Sequence, residues 1–211
     1  MRDYQVGNLS MSAGFISRPG ILKEEIMRKG IHLAAGILIA VLYTLFQRDV
    51  LIFVHLVFLI TIWLLELLRF RGVIPVPFLR DREKKKIGGH AFFMLGTFIS
   101  ILLFDKQIAI ASILMLAIGD AASGIALAAT RGTLDGGEAY KRRIKPPDVI
   151  LIMLGVCFLV GYYTLDSLPV AISGAIGATI ADGVHLRVYG IPIDDNLTIP
   201  LYAGFLMSLV S

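Results

Sequence analysis

The chain has 211 residues, 56% of them hydrophobic and 17% charged, with a formal net charge of +4. Soluble domains carry about 25% charged residues, and so this composition excludes an ordinary soluble globular protein. Most hydrophobic residues fall into separate runs of about 17 to 24 residues, the length at which a helix crosses a hydrocarbon layer of ~30 Å. The predicted fold class is therefore all-α, a polytopic transmembrane helical bundle.

Seven hydrophobic runs follow a charged, amphipathic N-terminal segment at residues 1–29. They predict spans at about 30–46, 50–68, 87–104, 107–130, 149–165, 168–186 and 197–211. The last run would reach only ~22 Å as a helix, which is short for a complete crossing. The whole chain, 1–211, is predicted to be a single membrane domain.

Positive charge is distributed unequally between the two sides of this predicted bundle. Of the 20 lysines and arginines, only Arg48 and Lys106 lie on the side opposite the N-terminus. Because cytoplasmic loops carry the excess of positive charge, the N-terminus is predicted to be cytoplasmic. The long charged loops share that side, so we expect the active site there, in a multi-pass protein of the cell membrane, or of the endoplasmic reticulum membrane in a eukaryote.

The first candidate residues lie where the N-terminal segment meets the first run. Glu24 with Arg28, and Glu25 with Lys29, are spaced i, i+4 and can pair along a helix. A basic flank at a span also satisfies the distribution of charge without any ligand. His32 lies one turn further on, where a neutral imidazole can bond a neighbouring helix or a phosphate oxygen.

Glu66 lies near the cytoplasmic end of the second run. An ionised carboxylate in hydrocarbon is costly, so Glu66 is expected to have a cationic partner. Arg80, followed by Glu83, is the nearest candidate downstream in chain order. The alternative is a solvated loop that contacts anionic lipid headgroups.

Asp120, in the fourth run, is the strongest single feature of the sequence. Ionisable residues inside a membrane almost always face the bundle interior and mark ion, proton or substrate sites. Ser123 and Gly124 share its helix face at i+3 and i+4. Asp120 is therefore predicted to belong to a functional site.

Acidic residues also accumulate near the C-terminus. Asp182 and His185 come late in the sixth run, and Asp194, Asp195 and Asn196 immediately precede the seventh. Asp195 or Asn196 could cap the last helix. Carboxylates that face Asp120 would instead form an oxygen-rich site of the kind that holds Mg²⁺ together with substrate phosphates.

A basic loop precedes the fifth run on the same side of the bundle. It contains Lys141, Arg142, Arg143 and Lys145, which could bind phosphate oxygens through charge-assisted hydrogen bonds. The positive-inside distribution explains the same residues without a ligand. Both interpretations remain open.

These motifs resemble the CTP-dependent polyprenol kinases, the family of dolichol kinase and phytol kinase, which is more distantly related to the phosphatidate cytidylyltransferases. The resemblance rests on Arg28, Lys29 and His32 in RKGIH, Glu66, Arg80 and Glu83 in LRDRE, Gly89, Gly119 with Asp120, and DDNLTIP at 194–200. It departs where the family has a K[ST]xEG stretch, because this chain reads Lys145, Pro146, Pro147, Asp148, Val149. The resemblance implies a membrane enzyme that phosphorylates a long isoprenoid or related lipid alcohol with CTP and a divalent metal.

The roles expected on this basis can be stated by residue. We expect Asp120, Asp194 and Asp195 to hold Mg²⁺, with Asp120, His32 and Asp195 as catalytic groups. The expected substrate contacts are Arg28, Lys29, Glu66, Arg80, Glu83, Ser123, Lys141, Arg142, Arg143, Lys145 and Asn196. The expected ligands are a nucleoside triphosphate and a lipid alcohol but no nucleic acid, and a homo-oligomer is left open.

Two other functions remain open. A related enzyme could transfer a cytidylyl group to a lipid phosphate by attack at the α-phosphate of CTP. An ion-coupled transporter could instead line a path with Asp120, Asp182 and the small residues from Gly174 to Gly177.

Overall fold

The computed structural model describes residues 19–74, 86–132, 144–184, 187–188 and 191–211. Within these ranges the chain is helical, which confirms the predicted all-α class, apart from two short paired strands. In chain order the elements are α1 (Pro19–Leu45), α2 (Arg48–Phe70), α3 (Gly89–Leu103), α4 (Lys106–Leu114), a π-helix (Met115–Gly119), α5 (Asp120–Arg131), α6 (Pro147–Thr164), α7 (Leu168–Gly183), β1 (Arg187–Val188), β2 (Ile191–Pro192) and α8 (Asp195–Ser208).

Four helical stretches of the described chain are long and apolar enough to cross a membrane. They are Gly20–Leu45, Arg48–Phe70, Lys106–Arg131 and Pro147–Thr164. Two further apolar helices, α3 and α7, are shorter. These lengths and compositions indicate a membrane protein.

The stretch Lys106–Arg131, which we call the central helix, lies inside the bundle. It consists of α4, the π-helix and α5 without interruption. The most apolar part of this stretch is 72% buried inside the bundle, against 28% or less in the other three long stretches. It contacts α1 on one side and α6 on another, and it also touches α8. Side chains that the central helix carries are therefore surrounded by other helices.

Small residues bring the helices close together, as is typical of membrane bundles. A β-carbon at Gly177 of α7 would lie 2.6 Å from the Tyr202 carbonyl oxygen of α8, and one at Gly96 of α3 would lie 2.5 Å from the Asn196 carbonyl oxygen. On α1, Gly36 packs directly on Ala117 of the π-helix. These glycines permit backbone contacts that any larger side chain would block.

The helix α2 packs mainly on α3 and exposes much of its apolar surface. Phe53, Phe58 and Ile60 are among its exposed side chains. A polar contact holds its middle to α3, because His55 Nε2 lies 3.0 Å from Thr97 Oγ1. The exposed apolar side chains are those that a lipid-facing helix requires.

Most predicted boundaries lie within about three residues of the observed ones, and two larger or more consequential differences occur. The first helix begins at Pro19, so residues 19–29 continue directly into the apolar run instead of forming a separate segment. The sixth run ends as a helix at Gly183, before the predicted limit of 186, and the chain then turns into β1 and β2, which pair antiparallel. This early end has a consequence for the site, because it leaves Asp182 in the last turn of α7.

Candidate metal centre

Three carboxylates from three different helices meet at one point. Asp120 is the first residue of α5, Asp182 is the penultimate residue of α7, and Asp195 is the first residue of α8. One oxygen from each lies within 4.8 Å of the others. Asp120 and Asp182 are buried and Asp195 is half-buried. We refer to these three residues as the acidic cluster.

The π-helix lies immediately before Asp120 in the chain. Such single π-turns inside an α-helix are rare and occur frequently at functional sites. Its last residue, Gly119, packs tightly on α6, since a β-carbon there would lie 2.5 Å from Cys157 Sγ and 2.9 Å from Met153 Sδ. This contact and the π-turn together fix the face of the central helix on which Asp120 lies.

Asp182 is held by a network of buried polar groups. Ser123 Oγ of α5 donates a hydrogen bond of 2.7 Å to Asp182 Oδ2, and Lys145 Nζ lies 2.7 Å from Asp182 Oδ1. Lys145 is positioned by its backbone, because its N–H donates to the Gly183 carbonyl oxygen at 2.9 Å. Ile144 also forms an isolated antiparallel bridge with Val184. The segment before α6 therefore brings a lysine to the end of α7.

Asp120 is paired with a second buried lysine. Lys29 Nζ of α1 lies 2.5 Å from Asp120 Oδ1. The Lys29 side chain passes over Gly124, where a β-carbon would lie 2.5 Å from Lys29 Cε. Glu25, which is also buried, forms an ion pair of 2.5 Å with Arg28 one turn along α1. Lys29 thus reaches from α1 to the central helix, beyond the local pairing expected from its sequence spacing.

The N-terminus of α8 differs from the sequence prediction. Asp194, not Asp195 or Asn196, is the N-cap, and its side chain accepts hydrogen bonds from the Asn196 backbone N–H at 3.1 Å and from Asn196 Nδ2 at 2.7 Å. Asp194 was expected beside Asp120 as a metal ligand. Its side chain caps the helix instead, and Asp182 takes the third position of the acidic cluster.

Asn196, next to the acidic cluster, has a buried acceptor without a donor. The residue is 95% buried, and its Oδ1 has no hydrogen-bond partner among the residues that the structure describes. A buried amide oxygen without a donor is uncommon, because the lost hydration is not replaced. Asn196, which follows Asp195 in the chain, therefore offers an acceptor to a ligand or a water.

His32 lies one turn after Lys29 on α1 and is half-buried. Its ring packs on Phe93 of α3, with ring centroids 4.9 Å apart and planes at 44°. His32 is therefore on the side of α1 that faces the bundle. Its role as a proton acceptor stays a prediction.

Glu66 has partners that sequence order did not indicate. Its carboxylate receives hydrogen bonds from Arg69 at 2.6 Å and from the Gly88 N–H at 3.1 Å, and His90 Nε2 lies 3.2 Å away. The expected need for a cationic partner is confirmed, but the partner found is Arg69, one turn along α2, because i, i+3 residues share a helix face. Glu66 ties the end of α2 to the start of α3.

Several predicted site residues lie outside the described residues. They are Arg80, Glu83, Lys141, Arg142, Arg143 and His185. The small residues considered for a transport path make close helix contacts: Gly174 lies against Met207 of α8, and Gly177 lies against the Tyr202 carbonyl.

Asp182 is the member of the acidic cluster that the sequence does not predict as a metal ligand. The sequence places it beside His185, late in the sixth run. The signal was present, because Asp182 interrupts an apolar run just as Asp120 does, and such residues generally face the bundle interior.

The acidic cluster and its two lysines can bind charged ligands of both signs. The site joins three carboxylates to two buried ammonium groups, because Lys29 pairs with Asp120 and Lys145 pairs with Asp182. Carboxylate oxygens suit a hard divalent cation such as Mg²⁺, and lysine ammonium groups suit phosphate oxygens. Both groups that a metal nucleotide requires are therefore at one place.

Comparison with known proteins gives a relative whose name states no activity. The chain is 32% identical over 118 residues to the "Uncharacterized protein RP860" of Rickettsia prowazekii (strain Madrid E). The match covers 54% of this chain and 54% of that protein, so the chain spans about half the length of the curated relative it matches. No protein-family model and no solved structure matches the chain.

Proposed function

We propose that this chain is a membrane kinase that transfers the γ-phosphoryl group of CTP to the hydroxyl of a long-chain isoprenoid or a related lipid alcohol. The observation that carries the proposal is the convergence of Asp120, Asp182 and Asp195 beside two buried lysines. The resemblance to dolichol and phytol kinases supplies the nucleotide and the lipid class.

The acidic cluster suits Mg²⁺ by its chemistry, because Mg²⁺ prefers carboxylate oxygens as ligands. One oxygen from each of the three carboxylates lies within 4.8 Å of the others. Asp120, Asp182 and Asp195 would hold the ion together with nucleotide phosphates. When bound, Mg²⁺ neutralises charge that develops on the transferred phosphoryl group.

The other residues bind and orient the reactants. Lys29 and Lys145 contact nucleotide phosphates and hold the γ-phosphate in line with the lipid hydroxyl. The hydroxyl oxygen forms a bond to the γ-phosphorus, the bond from that phosphorus to the bridging oxygen breaks, and CDP leaves. The hydroxyl proton passes to His32, one turn from Lys29 on α1, or to a carboxylate of the acidic cluster.

The position of the acidic cluster in the bundle supports a reaction at a membrane surface. The cluster lies where α7 ends and where α6 and α8 begin, and α1 and α5 continue beyond it for about 15 Å at ~1.5 Å per residue. In the seven-span arrangement that we propose, with a cytoplasmic N-terminus, this end faces the cytoplasm, where the charged connecting segments also lie. The lipid tail then stays among the helices while its hydroxyl reaches the site.

The direct test is product analysis with purified protein in lipid nanodiscs. CTP labelled at the α- or the γ-phosphate is supplied with Mg²⁺ and, in turn, dolichol, phytol, shorter prenols and diacylglycerol. We expect γ-label on the lipid and release of CDP. Lipid carrying α-label with release of pyrophosphate would favour cytidylyl transfer, and no labelled lipid with any nucleoside triphosphate would reject the proposal.

A matched pair of variants controls this test. Asp120→Asn should abolish product formation while the protein still inserts and purifies as a folded species. Asp166→Asn removes an exposed carboxylate from the opposite end of the bundle and should leave the activity unchanged. An active Asp120→Asn enzyme would contradict the role of the acidic cluster.

A further inference from the structure

The two lysines of the site contact the same carboxylates that a divalent cation would use. Lys29 Nζ is 2.5 Å from Asp120 and Lys145 Nζ is 2.7 Å from Asp182. Both lysines are buried, with 2% and 4% of their surface exposed. A lysine ammonium group and a divalent cation that bind the same carboxylate oxygen repel each other, and so they compete for it.

Asp195 lies outside these two pairs. In the part of the chain that the structure describes, it has no ion-pair partner, and its Oδ1 accepts only from the Asn196 N–H at 3.0 Å. The buried Asn196 Oδ1 beside it also has no donor within those ranges. Asp195 and Asn196 Oδ1 thus offer acceptors to a ligand on the α8 side of the site.

The charges of the site indicate that cation and anion binding are coupled. Lys29 and Lys145 each pair with one carboxylate of the acidic cluster. A divalent cation bound to the same carboxylates adds positive charge beside these ammonium groups and weakens both pairs. A polyphosphate restores the balance by giving each ammonium group a new anionic partner.

The lysines are also able to move between two partners. A lysine carries three donors on a flexible four-carbon stem and binds as a point charge, without the fixed geometry of arginine. The Lys29 stem passes over Gly124, which offers no side chain to hold it back. Lys145 Nζ is also 3.3 Å from Ser123 Oγ. Because that hydroxyl donates to Asp182 Oδ2, Asp182 keeps a hydrogen bond after the ammonium group moves away.

We propose that Lys29 and Lys145 are exchangeable counter-ions. They neutralise Asp120 and Asp182 while the site is empty of metal, and they transfer to the nucleotide phosphates when the metal nucleotide binds. This inference rests on the proposed function and adds to it an order of binding: a free divalent cation binds weakly, and the nucleotide is what releases the carboxylates. By linkage, metal and nucleotide each strengthen the binding of the other.

The test measures two affinities in full-length protein in nanodiscs. Free Mn²⁺ is titrated by electron paramagnetic resonance without nucleotide, and the non-hydrolysable analogue β,γ-methylene-CTP is titrated with Mn²⁺ present. For Lys29→Met we expect Mn²⁺ to bind about tenfold more tightly and the analogue about tenfold more weakly than in the wild type. Lys23→Met, at an exposed lysine of the same helix, should change neither affinity.

The opposite signs of the two effects distinguish exchange from simple support. If both affinities fall together in Lys29→Met, or if neither changes, the lysine is not an exchangeable counter-ion and the inference is overturned. Lys145→Met should repeat the pattern and replaces Lys29→Met if that variant does not fold. Loss of the fold in both variants, even with Mn²⁺ supplied, would also overturn it, because it would make the lysines structural.

The same titrations separate this inference from the proposed function. A wild-type protein that binds both Mn²⁺ and the analogue, without the opposite shifts in the variants, contradicts only the exchange. A wild-type protein that binds neither ligand contradicts the proposed function and the exchange together.

Discussion

Ser123 and Asp182, 59 residues apart in the chain, are joined by a buried hydrogen bond of 2.7 Å from Ser123 Oγ to Asp182 Oδ2. This bond connects the central helix to the last turn of α7. It also orients the Asp182 carboxylate, whose other oxygen contacts Lys145. The position of one member of the acidic cluster therefore depends on a neutral side chain of α5.

Replacement of Ser123 by alanine tests this orientation. A buried hydrogen bond to a charged group contributes about 1.5–3 kcal/mol, so Ser123→Ala should lower the free energy of unfolding by roughly that amount. It should also reduce phosphoryl transfer about tenfold, because Asp182 Oδ2 loses the hydrogen bond that orients the carboxylate. Ser112→Ala provides the control, since Ser112 is buried on the same helix but donates only to the nearby Ala109 carbonyl. Equal activities of the two variants would count against the role of the bond.

Substitution by asparagine should affect activity strongly at Asp182 and weakly at Asp194. Asp182→Asn removes a carboxylate from the acidic cluster and is expected to lower activity at least a hundredfold. Asp194→Asn keeps a good helix cap, because asparagine caps about as well as aspartate, and should retain most of the activity. Kinetic assays that compare the turnover of the two purified variants test this prediction. A more damaging effect at Asp194 would favour the metal ligands expected from sequence over the acidic cluster.

Glu66 provides a contrast, because its partners give it a role in joining α2 to α3. Glu66→Gln breaks a buried ion pair with Arg69 and weakens the bond from Gly88, and so we expect a loss of about 3–5 kcal/mol in stability. Activity per folded molecule should change little. Thermal unfolding and turnover measured on the same preparation test this. Unchanged stability with lost turnover would support a direct contact with substrate instead.

The fold could be predicted from hydropathy because each helix is a separate apolar run. Length and composition alone locate the helices, and charge asymmetry predicts their orientation. The π-helix at Met115–Gly119 was not predictable in this way, because one extra residue in a turn changes neither hydropathy nor residue type. It ends at Gly119, where the backbone packs against Cys157 and Met153 of α6, residues distant in the sequence.

The site could be predicted in part for a similar reason. Asp120 is visible as a carboxylate in an apolar run. Whether Asp182 or Asp194 joins the acidic cluster depends on where α7 ends and on how α8 is capped. The local sequence determines neither the end of α7 nor the cap of α8. The partner of Glu66 shows the same limit, since Arg69 on its own helix face pairs with it, while the expected partner Arg80 lies outside the described residues.

The most direct measurement of the central claim is the number of divalent cations bound in the presence of nucleotide. Mn²⁺ titration of the full-length protein with β,γ-methylene-CTP should give one tightly bound ion per chain in the wild type. Asp120→Asn, Asp182→Asn and Asp195→Asn should each lose that ion while Asp166→Asn retains it. Tight binding of Mn²⁺ that persists in all three cluster variants would contradict the account.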